Sequence, residues 1–194
     1  MNCFPPRWTR ESFAPFGDVI ETDGAQRFSI NEGTTERFHD LAGVDIRAES
    51  GIPLINIVRG QPRPQPIEIK MVELGSQAFI PLQNQSWILV VGMPGGEPVV
   101  SILRAFRATG RQGVNYHRGV WHHPLLVLKQ DQDFLVVDRG GPGENCDEVW
   151  FDGASARIVV QHSGPKAQSA AVNQEIGDQR QDCGDPGGNA GLQP

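Results

Sequence analysis

The stretch GVNYHRGVWHHPL, residues 113–125, places three of the chain's five histidines within seven residues and between glycines. Histidine side chains titrate near neutral pH and bind metals, and glycine lets the backbone turn where a bulkier residue would be strained. Alternate residues of a strand point to opposite faces, so the neighbours His122 and His123 cannot both face one cavity. At most two of the three histidines therefore share one pocket unless the chain bends.

The composition indicates a single globular domain that binds a small molecule or a protein. A chain of 194 residues with 38% hydrophobic residues is long enough to bury one sizeable core. The net charge of -6 argues against nucleic acid or an anionic membrane as a partner, since no long basic stretch offsets it. The sequence contains no signal-peptide pattern and no apolar run of about 18 residues, so we expect a cytoplasmic location.

Glycine and proline residues that separate short β-branched runs predict an all-β fold, mostly antiparallel, with few short helices. The modest helix signal is Thr9–Ala14, where Thr9 caps a turn that Pro15 ends. The segments QPRPQP at 61–66 and MPGGEP at 93–98 are predicted surface connections. The predicted strands, whose spacing suits a sandwich or a small barrel, are 18–21, 54–58, 67–74, 77–81, 87–92, 99–107, 113–117, 125–129 and 134–138.

The composition changes near the C-terminus, which divides the chain into a predicted domain, 1–160, and a predicted disordered tail, 161–194. The tail is rich in Gln, Gly, Ser, Ala and Asp and has too few large apolar side chains to offset the entropy of ordering. Cys3, Cys146 and Cys183 are odd in number, widely separated and outside any CxxC pattern. We interpret them as free thiols, because neither a disulfide framework nor a structural zinc site fits that pattern.

Longer motifs surround the histidine run: PFGDVIE at Pro15, FSINEGTTERFHDLA at Phe28, LGSQAFIPL at Leu74, LRAFRATGRQGVNYHRGVWHHPL at Leu103 and DFLVVDRGGPGENCDE at Asp133. The spacing of Gly119 and His122 also matches the core of the second cupin motif, in which a turn delivers a histidine into a β-barrel. Together these stretches resemble the ureidoglycolate lyase family of the cupin superfamily. The resemblance implies a cupin-like β-barrel or jelly roll, usually a homodimer, that cleaves ureidoglycolate to glyoxylate and urea in allantoin and purine breakdown.

The resemblance also implies a divalent metal, with nickel favoured, but the chain departs from the family at one expected ligand. Members commonly carry a His-Pro pair ahead of GSQAF, where this chain has Val72 and Glu73. A firm site generally needs three or more protein ligands, and the candidates here are His122, Gln77 and Glu73. Glu73 offers an oxygen ligand that hard divalent ions accept, and an exposed strand position is the alternative interpretation.

The implied substrate carries a carboxylate, a hydroxyl and a urea nitrogen on one carbon, so its cleavage needs a base, an acid and a group that binds the carboxylate. His122 is the first candidate for general base or metal ligand, and a structural buried histidine is the alternative. His117 is the candidate acid, against a solvated loop position. Asn115 shares a strand face with His117 and suits the hydroxyl or the urea carbonyl.

Three more polar side chains are candidates for binding the substrate. Arg104 lies in the otherwise apolar strand LRAF, where a charge is costly unless it meets a partner or a polar cavity; an exposed strand edge is the alternative. Arg139 is a second candidate for the carboxylate, against an ion pair with Asp138. The Gln77 amide both donates and accepts, which suits a urea group, and a surface position is its alternative.

The remaining residues near these motifs have structural interpretations. Trp87, Trp121 and Tyr116 are expected to pack in the core, and His123, which precedes a proline, is expected to face outward. The polar residues of TERFHDLA are expected at the pocket mouth, at a dimer contact or in a salt bridge, and they are Arg37, His39 and Asp40.

Two functional hypotheses follow from these observations. The first is a lyase that cleaves ureidoglycolate by general acid and base chemistry, with or without help from a divalent metal. The second is a non-catalytic cupin that binds a small carboxylate as a sensor or carrier, and it is motivated by the missing first-motif histidine.

Overall fold

The part of the chain described by the structure, a computed structural model, covers residues 8–62, 67–72, 74–151 and 180–182, of which 67–72 and 180–182 are given as strand backbone. It contains one α-helix, α1 (Arg10–Phe13), and short 3-10 helices at Asn31–Gly33, Ala48–Ser50 and Val100–Ile102. The strands are β1 (Gly17–Ile20), β2 (Gln26–Ile30), β3 (Thr35–His39), β4 (Ile52–Gly60), β5 (Ile67–Val72), β6 (Gln77–Pro81), β7 (Trp87–Val91), β8 (Arg104–Ala108), β9 (Gly113–Tyr116), β10 (Trp121–His122), β11 (Leu126–Val127), β12 (Gln132–Gly140), β13 (Cys146–Phe151) and β14 (Arg180–Asp182).

The strands form two large sheets and one separate hairpin. The first sheet has the order β1-β9-β6-β12-β4, and the second has the order β11-β7-β10-β5-β13-β14 with β8 also paired to β7. Strands β2 and β3 pair with each other as a two-stranded sheet. Every pairing in the described residues is antiparallel, which confirms the all-β, mostly antiparallel prediction.

The two large sheets enclose the main apolar core. Phe79, Val114 and Phe134 project from the first sheet, and Trp87 and Phe106 project from the second. All five residues of β7 are buried, because that strand has apolar side chains packed on both faces. A smaller apolar cluster on the far face of the second sheet includes Trp121, and the core positions predicted for both tryptophans are confirmed.

Local sequence signals account for several element boundaries. Thr9 caps α1 as predicted: its hydroxyl accepts a hydrogen bond from the Ser12 backbone N–H, and the Ser12 hydroxyl accepts one from Thr9 N–H. The predicted strand 99–107 is wrong at its start, since Val100–Ile102 forms a 3-10 turn and β8 begins at Arg104. The sequence patterns also missed the hairpin of β2 and β3, whose ten positions lack a buried alternation.

Part of the predicted tail takes strand structure. Arg180–Asp182 pairs antiparallel with β13, and the rest of 161–194 lies outside the described residues. Cys146 is the first residue of β13, whereas Cys3 and Cys183 lie outside the described residues, so the interpretation of the cysteines as free thiols stays a prediction. Within the described ranges no helix has the length and apolar character needed to cross a membrane.

Truncation of Phe134 should destabilise the fold because its fully buried ring packs against Trp87 with ring centroids 4.9 Å apart. We expect Phe134→Ala to lower the free energy of unfolding by about 3–5 kcal/mol, since the surrounding side chains only partly fill the cavity. Urea unfolding measures the change. Leu82→Ala, at a side chain that is 53% exposed, is the matched control and should change stability by less than about 0.5 kcal/mol. Equal losses in the two variants would contradict this description of the core.

Candidate active site

A tight turn delivers His122 to the space between the two sheets. The Val120 N–H donates to the His117 carbonyl at 3.2 Å, and Gly119 within this turn has a φ of +74°. That conformation favours glycine, because a side chain would crowd the backbone. The chain then enters β10, where Trp121 packs on the far face of the second sheet and His122 turns to its inner face.

The His122 imidazole is buried and contacts the first sheet. Its ring lies parallel to that of Tyr116, with centroids 4.2 Å apart and an interplanar angle of 8°. Its Nδ1 lies 3.0 Å from the Val120 carbonyl oxygen, and its Nε2 lies 3.2 Å from Gln77 Oε1. Both oxygens only accept hydrogen bonds, so this arrangement is satisfied when both ring nitrogens carry protons. His122 is thus held as a hydrogen-bond donor.

Three polar side chains of the first sheet continue from His122 toward its edge. Gln77 on β6 lies opposite Tyr116 on β9, and its Nε2 donates to Asp138 Oδ2 at 3.4 Å. The other carboxylate oxygen of Asp138 accepts a hydrogen bond from Asn56 Nδ2 on β4 at 3.2 Å. The result is a continuous chain of polar contacts that runs from the buried histidine to the exposed edge strand.

Burial changes the acid strength of two groups at this site. It raises the pKa of Tyr116 far above its ordinary value, so this side chain remains a neutral phenol at physiological pH. Burial also raises the pKa of Asp138, and the hydrogen bonds from Gln77 and Asn56 offset part of that rise by favouring the ionised form. Tyr116 is therefore a packing surface for the imidazole, and Asp138 is a carboxylate kept in a partly dehydrated position.

The other two predicted catalytic residues lie on the opposite face of the first sheet. Asn115 and His117 both contact Asp18 of β1: Asn115 Nδ2 donates to Asp18 Oδ2 at 3.0 Å, and His117 Nε2 lies 3.3 Å from Asp18 Oδ1. The side chain of His117 is 48% exposed, whereas Asn115 is fully buried. The structure thus brings Asn115 and His117 together, as their spacing predicts, but not with His122. Their catalytic role stays a prediction.

The two predicted arginines lie in different surroundings, and Arg104 shares a row of the second sheet with His122, because both are register partners of Val91 on β7. Arg104 is exposed, with its guanidinium carbon 6.0 Å from the Phe16 ring centroid. Arg139 is buried, and its guanidinium donates to the carbonyls of Ala48, Glu49 and Pro142 at 2.9, 3.3 and 2.7 Å. The alternative of an ion pair with Asp138 is therefore wrong, because adjacent residues of β12 point to opposite faces.

The comparison with known proteins identifies the family. The family model described as ureidoglycolate lyase matches residues 3–159. A ureidoglycolate lyase from Pseudomonas putida (strain W619) is 52% identical over 157 residues, which cover 79% of this chain and 94% of the relative. One from Burkholderia cepacia is 57% identical over 146 residues, which cover 74% of this chain and 82% of the relative.

The chain belongs to the ureidoglycolate lyase family. Membership favours the lyase hypothesis over the non-catalytic sensor or carrier, since both relatives carry the enzyme's name. It also directs attention to Gln77, which lies in LGSQAFIPL, and to Asp138, which lies in DFLVVDRGGPGENCDE. The polar contacts from His122 to Asp138 thus join three of the stretches that carry the resemblance.

The described residues do not make a metal site for this family's implied cation. His122 Nε2 and Gln77 Oε1 are two potential donors, and the third predicted ligand, Glu73, lies outside the described residues. Within the described ranges no three His, Cys, Asp or Glu side chains cluster as metal ligands. A firm site generally needs three or more protein ligands, so we derive no step through a metal.

Two features of the site differ from the sequence predictions. His123 is buried rather than outward-facing: its backbone N–H donates to the Val90 carbonyl at 2.9 Å, and its Nδ1 lies 2.6 Å from the Pro124 carbonyl oxygen. Asn56 was not predicted, and Asp138 was expected only as an ion-pair partner of Arg139. The alternation of side chains along β12 could have revealed the inward position of Asp138. Residues two apart on a strand point to the same face, and Phe134 and Val136 lie in the core.

Asp138 should reduce stability at neutral pH, because its folded-state pKa is raised. The ionised form then costs folding free energy above that pKa, and the cost disappears below the pKa of the unfolded chain. We expect Asp138→Asn to be at least as stable as the parent chain at pH 7, with the difference shrinking on acidification. Chemical unfolding from pH 4 to 8 measures it.

Asp133 on the same strand provides a control of opposite sign. Its hydrogen bonds with Arg59, at 2.7 and 2.8 Å, lower the pKa of Asp133. Asp133→Asn should therefore lose stability at pH 7 and approach the parent chain as the pH falls through that lowered pKa. A loss of stability in Asp138→Asn at pH 7 similar to that in Asp133→Asn would contradict the assignment of a burial cost to Asp138.

Proposed function

We propose that this chain cleaves ureidoglycolate to glyoxylate and urea, and that the reaction takes place beside His122. Family membership supports the substrate, and the buried imidazole with its polar partners supports the position. In the reaction a base removes the hydroxyl proton, the C–N bond breaks as the C=O bond of glyoxylate forms, and an acid protonates the departing urea nitrogen.

The contacts of His122 favour the acid role in this reaction. Nδ1 faces a backbone carbonyl that cannot move away, whereas Nε2 faces the amide of Gln77, a side chain that can turn. A substrate that displaces Gln77 Oε1 meets the Nε2–H, which can pass its proton to the leaving nitrogen. Gln77 then offers its amide to the urea group, since urea has matching donors and acceptors.

Replacement of His122 tests this placement of the reaction. We expect His122→Ala to lower kcat by about 100-fold or more, the usual contribution of a positioned general acid or base. His117→Ala should lower kcat by less than about 10-fold on that scale, since His117 lies on the other face of the sheet. The assay measures glyoxylate released from racemic ureidoglycolate above the spontaneous rate.

The reverse order of the two losses would place the reaction at Asp18, Asn115 and His117 instead. No release above the spontaneous rate by the parent chain, with nickel or manganese added and without, would reject the activity itself.

The expectation of nickel stays a prediction, and it conflicts with the proton-donor role at one atom. A metal bound through His122 Nε2 requires that nitrogen to be unprotonated, whereas the acid role requires its proton. Gln77 and Glu73 are the other two candidate ligands from the sequence. Elemental analysis of purified protein, together with activity before and after chelation, decides whether His122 Nε2 binds a metal or carries the proton used in the reaction.

We also propose a homodimer in which a second copy covers β4 and the hairpin of β2 and β3. Strand β4 ends the first sheet and exposes Ile55 and Ile57 by 73% and 59%. The hairpin exposes Phe28 and Ile30, and its strands pair only with each other in the described residues. Isolated hairpins are marginally stable in water, and exposed apolar edge strands promote association. One continuous part of the chain thus supplies a surface suited to a two-fold interface.

Charge introduced on β4 should separate the proposed dimer. We expect the parent chain to sediment as a dimer and Ile55→Asp to sediment as a monomer, because an aspartate would be buried without a partner in the interface. Ile102→Asp, at a side chain 45% exposed in the 3-10 turn Val100–Ile102, is the matched control and should remain a dimer. A monomeric parent chain, or equal dissociation of both variants, would reject this interface.

The cytoplasm remains our proposed location. Three widely separated cysteines outside any CxxC pattern do not indicate a disulfide framework, which suits a reducing compartment. Fractionation of cells that express the untagged chain tests this proposal.

A further inference from the structure

The orientation of the Gln77 amide, which contacts both His122 and Asp138, depends on Asp138. Tyr116, Gln77 and Asp138 lie on the inner face of three adjacent strands, β9, β6 and β12. Gln77 is in the middle, with His122 Nε2 at 3.2 Å from one end of its amide and Asp138 at 3.4 Å from the other. An amide has one accepting end and one donating end, so its orientation decides what each neighbour meets.

The carboxylate of Asp138 selects one of the two amide orientations. An ionised carboxylate only accepts hydrogen bonds, so it favours the NH₂ group of Gln77 and repels its carbonyl oxygen. Asn56 donates to the other carboxylate oxygen at 3.2 Å, which holds the carboxyl plane and further favours the ionised form. With the NH₂ group directed to Asp138, the carbonyl oxygen of Gln77 faces His122.

We propose that Asp138 is a positioning residue for the lyase reaction: through Gln77 it directs an accepting oxygen at His122 Nε2 and so keeps the imidazole ready to donate a proton. This inference rests on the proposed function, because the proposed reaction needs a proton donor and His122 is that donor. Asp138 itself touches neither His122 nor the substrate in this scheme. Its effect passes through the orientation of one amide.

Partial burial of Asp138 agrees with a role other than stabilising the fold. The other described carboxylate of β12, Asp133, forms a two-point contact with Arg59, whereas Asp138 has amide partners from Gln77 and Asn56. Its register partner on β4, Leu54, is apolar and 38% exposed, and Phe134 and Val136 on the same face of β12 lie in the core. The carboxylate therefore shares a strand face with apolar core residues.

Two substitutions at position 138 test the proposal by kinetics. Asp138→Leu removes the acceptor and should lower kcat about 10- to 100-fold with KM changed by less than about threefold, the range for groups that orient a reacting residue. Asp138→Asn should fall between this variant and the parent chain, since its amide can still accept from Gln77 in one of its two orientations. Asp133→Asn, on the same strand, is the control and should keep the parent kcat.

A double-mutant cycle shows whether Gln77 carries the effect. In a Gln77→Leu background, Asp138→Leu should cause less than about a twofold further loss, because the residue through which it acts is gone. Additive losses would overturn the proposal. So would an unchanged kcat in Asp138→Leu, or an Asp138→Asn variant as impaired as Asp138→Leu.

Nitrogen-15 spectra of the His122 ring give a readout that needs no substrate and stands even if the chain proves inactive on ureidoglycolate. In the parent chain the Nε2 signal should show a proton hydrogen-bonded to the Gln77 carbonyl oxygen, and in Asp138→Leu that hydrogen bond should be lost in most molecules as the Gln77 amide turns. Identical ring spectra in the two proteins would overturn the positioning role. A changed spectrum without ureidoglycolate cleavage would reject the proposed function and leave the control of His122 by Asp138 in place.

Discussion

The register between β6 and β9 is the constraint on which the candidate site depends. It sets Gln77 opposite Tyr116 and Phe79 opposite Val114, so one row of the inner face is polar and the next is apolar. A shift by one residue would move every side chain of β6 to the other face, which would direct Ala78 to the inner face in place of Phe79 and Gln77. The apolar row therefore holds the polar row in position, since the packing of Phe79 and Val114 in the core leaves no alternative register.

The sequence predicted the scaffold better than the contacts of the site. Alternation and turn residues located most of the strands, and the boundaries of β6 are those predicted, because these signals are local. The hairpin of β2 and β3 was missed because its side chains are mostly exposed and thus lack the alternation that marks a half-buried strand. Its apolar residues fit better with burial against a second copy than with burial in their own domain.

The site was predicted in part, and the reason differs for each residue. His122 was singled out because a glycine turn at fixed spacing is a local feature, and Gln77 because its amide both donates and accepts hydrogen bonds. The surroundings of Arg104 and Arg139 could not be derived from the sequence, because a charged residue in an apolar strand is compatible with a cavity, an exposed edge or a set of backbone carbonyls. These three surroundings are distinguished by the face of the sheet on which the arginine lies and, for Arg139, by the position of the 3-10 turn at Ala48–Ser50. Both depend on distant parts of the chain.

Asp138 and Arg139 are adjacent on β12, and their charges are compensated in different ways. Arg139 satisfies three backbone carbonyls on the outer side of β12, so its burial is compensated by charge-assisted hydrogen bonds and closes the connection before β4. Asp138, one residue earlier, faces inward, and two neutral amides compensate it less completely, since burial still raises its pKa. The burial of Asp138 destabilises the fold, and the contacts of Arg139 and Phe134 on the same strand offset that loss. This pattern is consistent with the positioning role proposed for Asp138. The inward carboxylate can therefore be altered with little damage to the fold, whereas the outward guanidinium cannot.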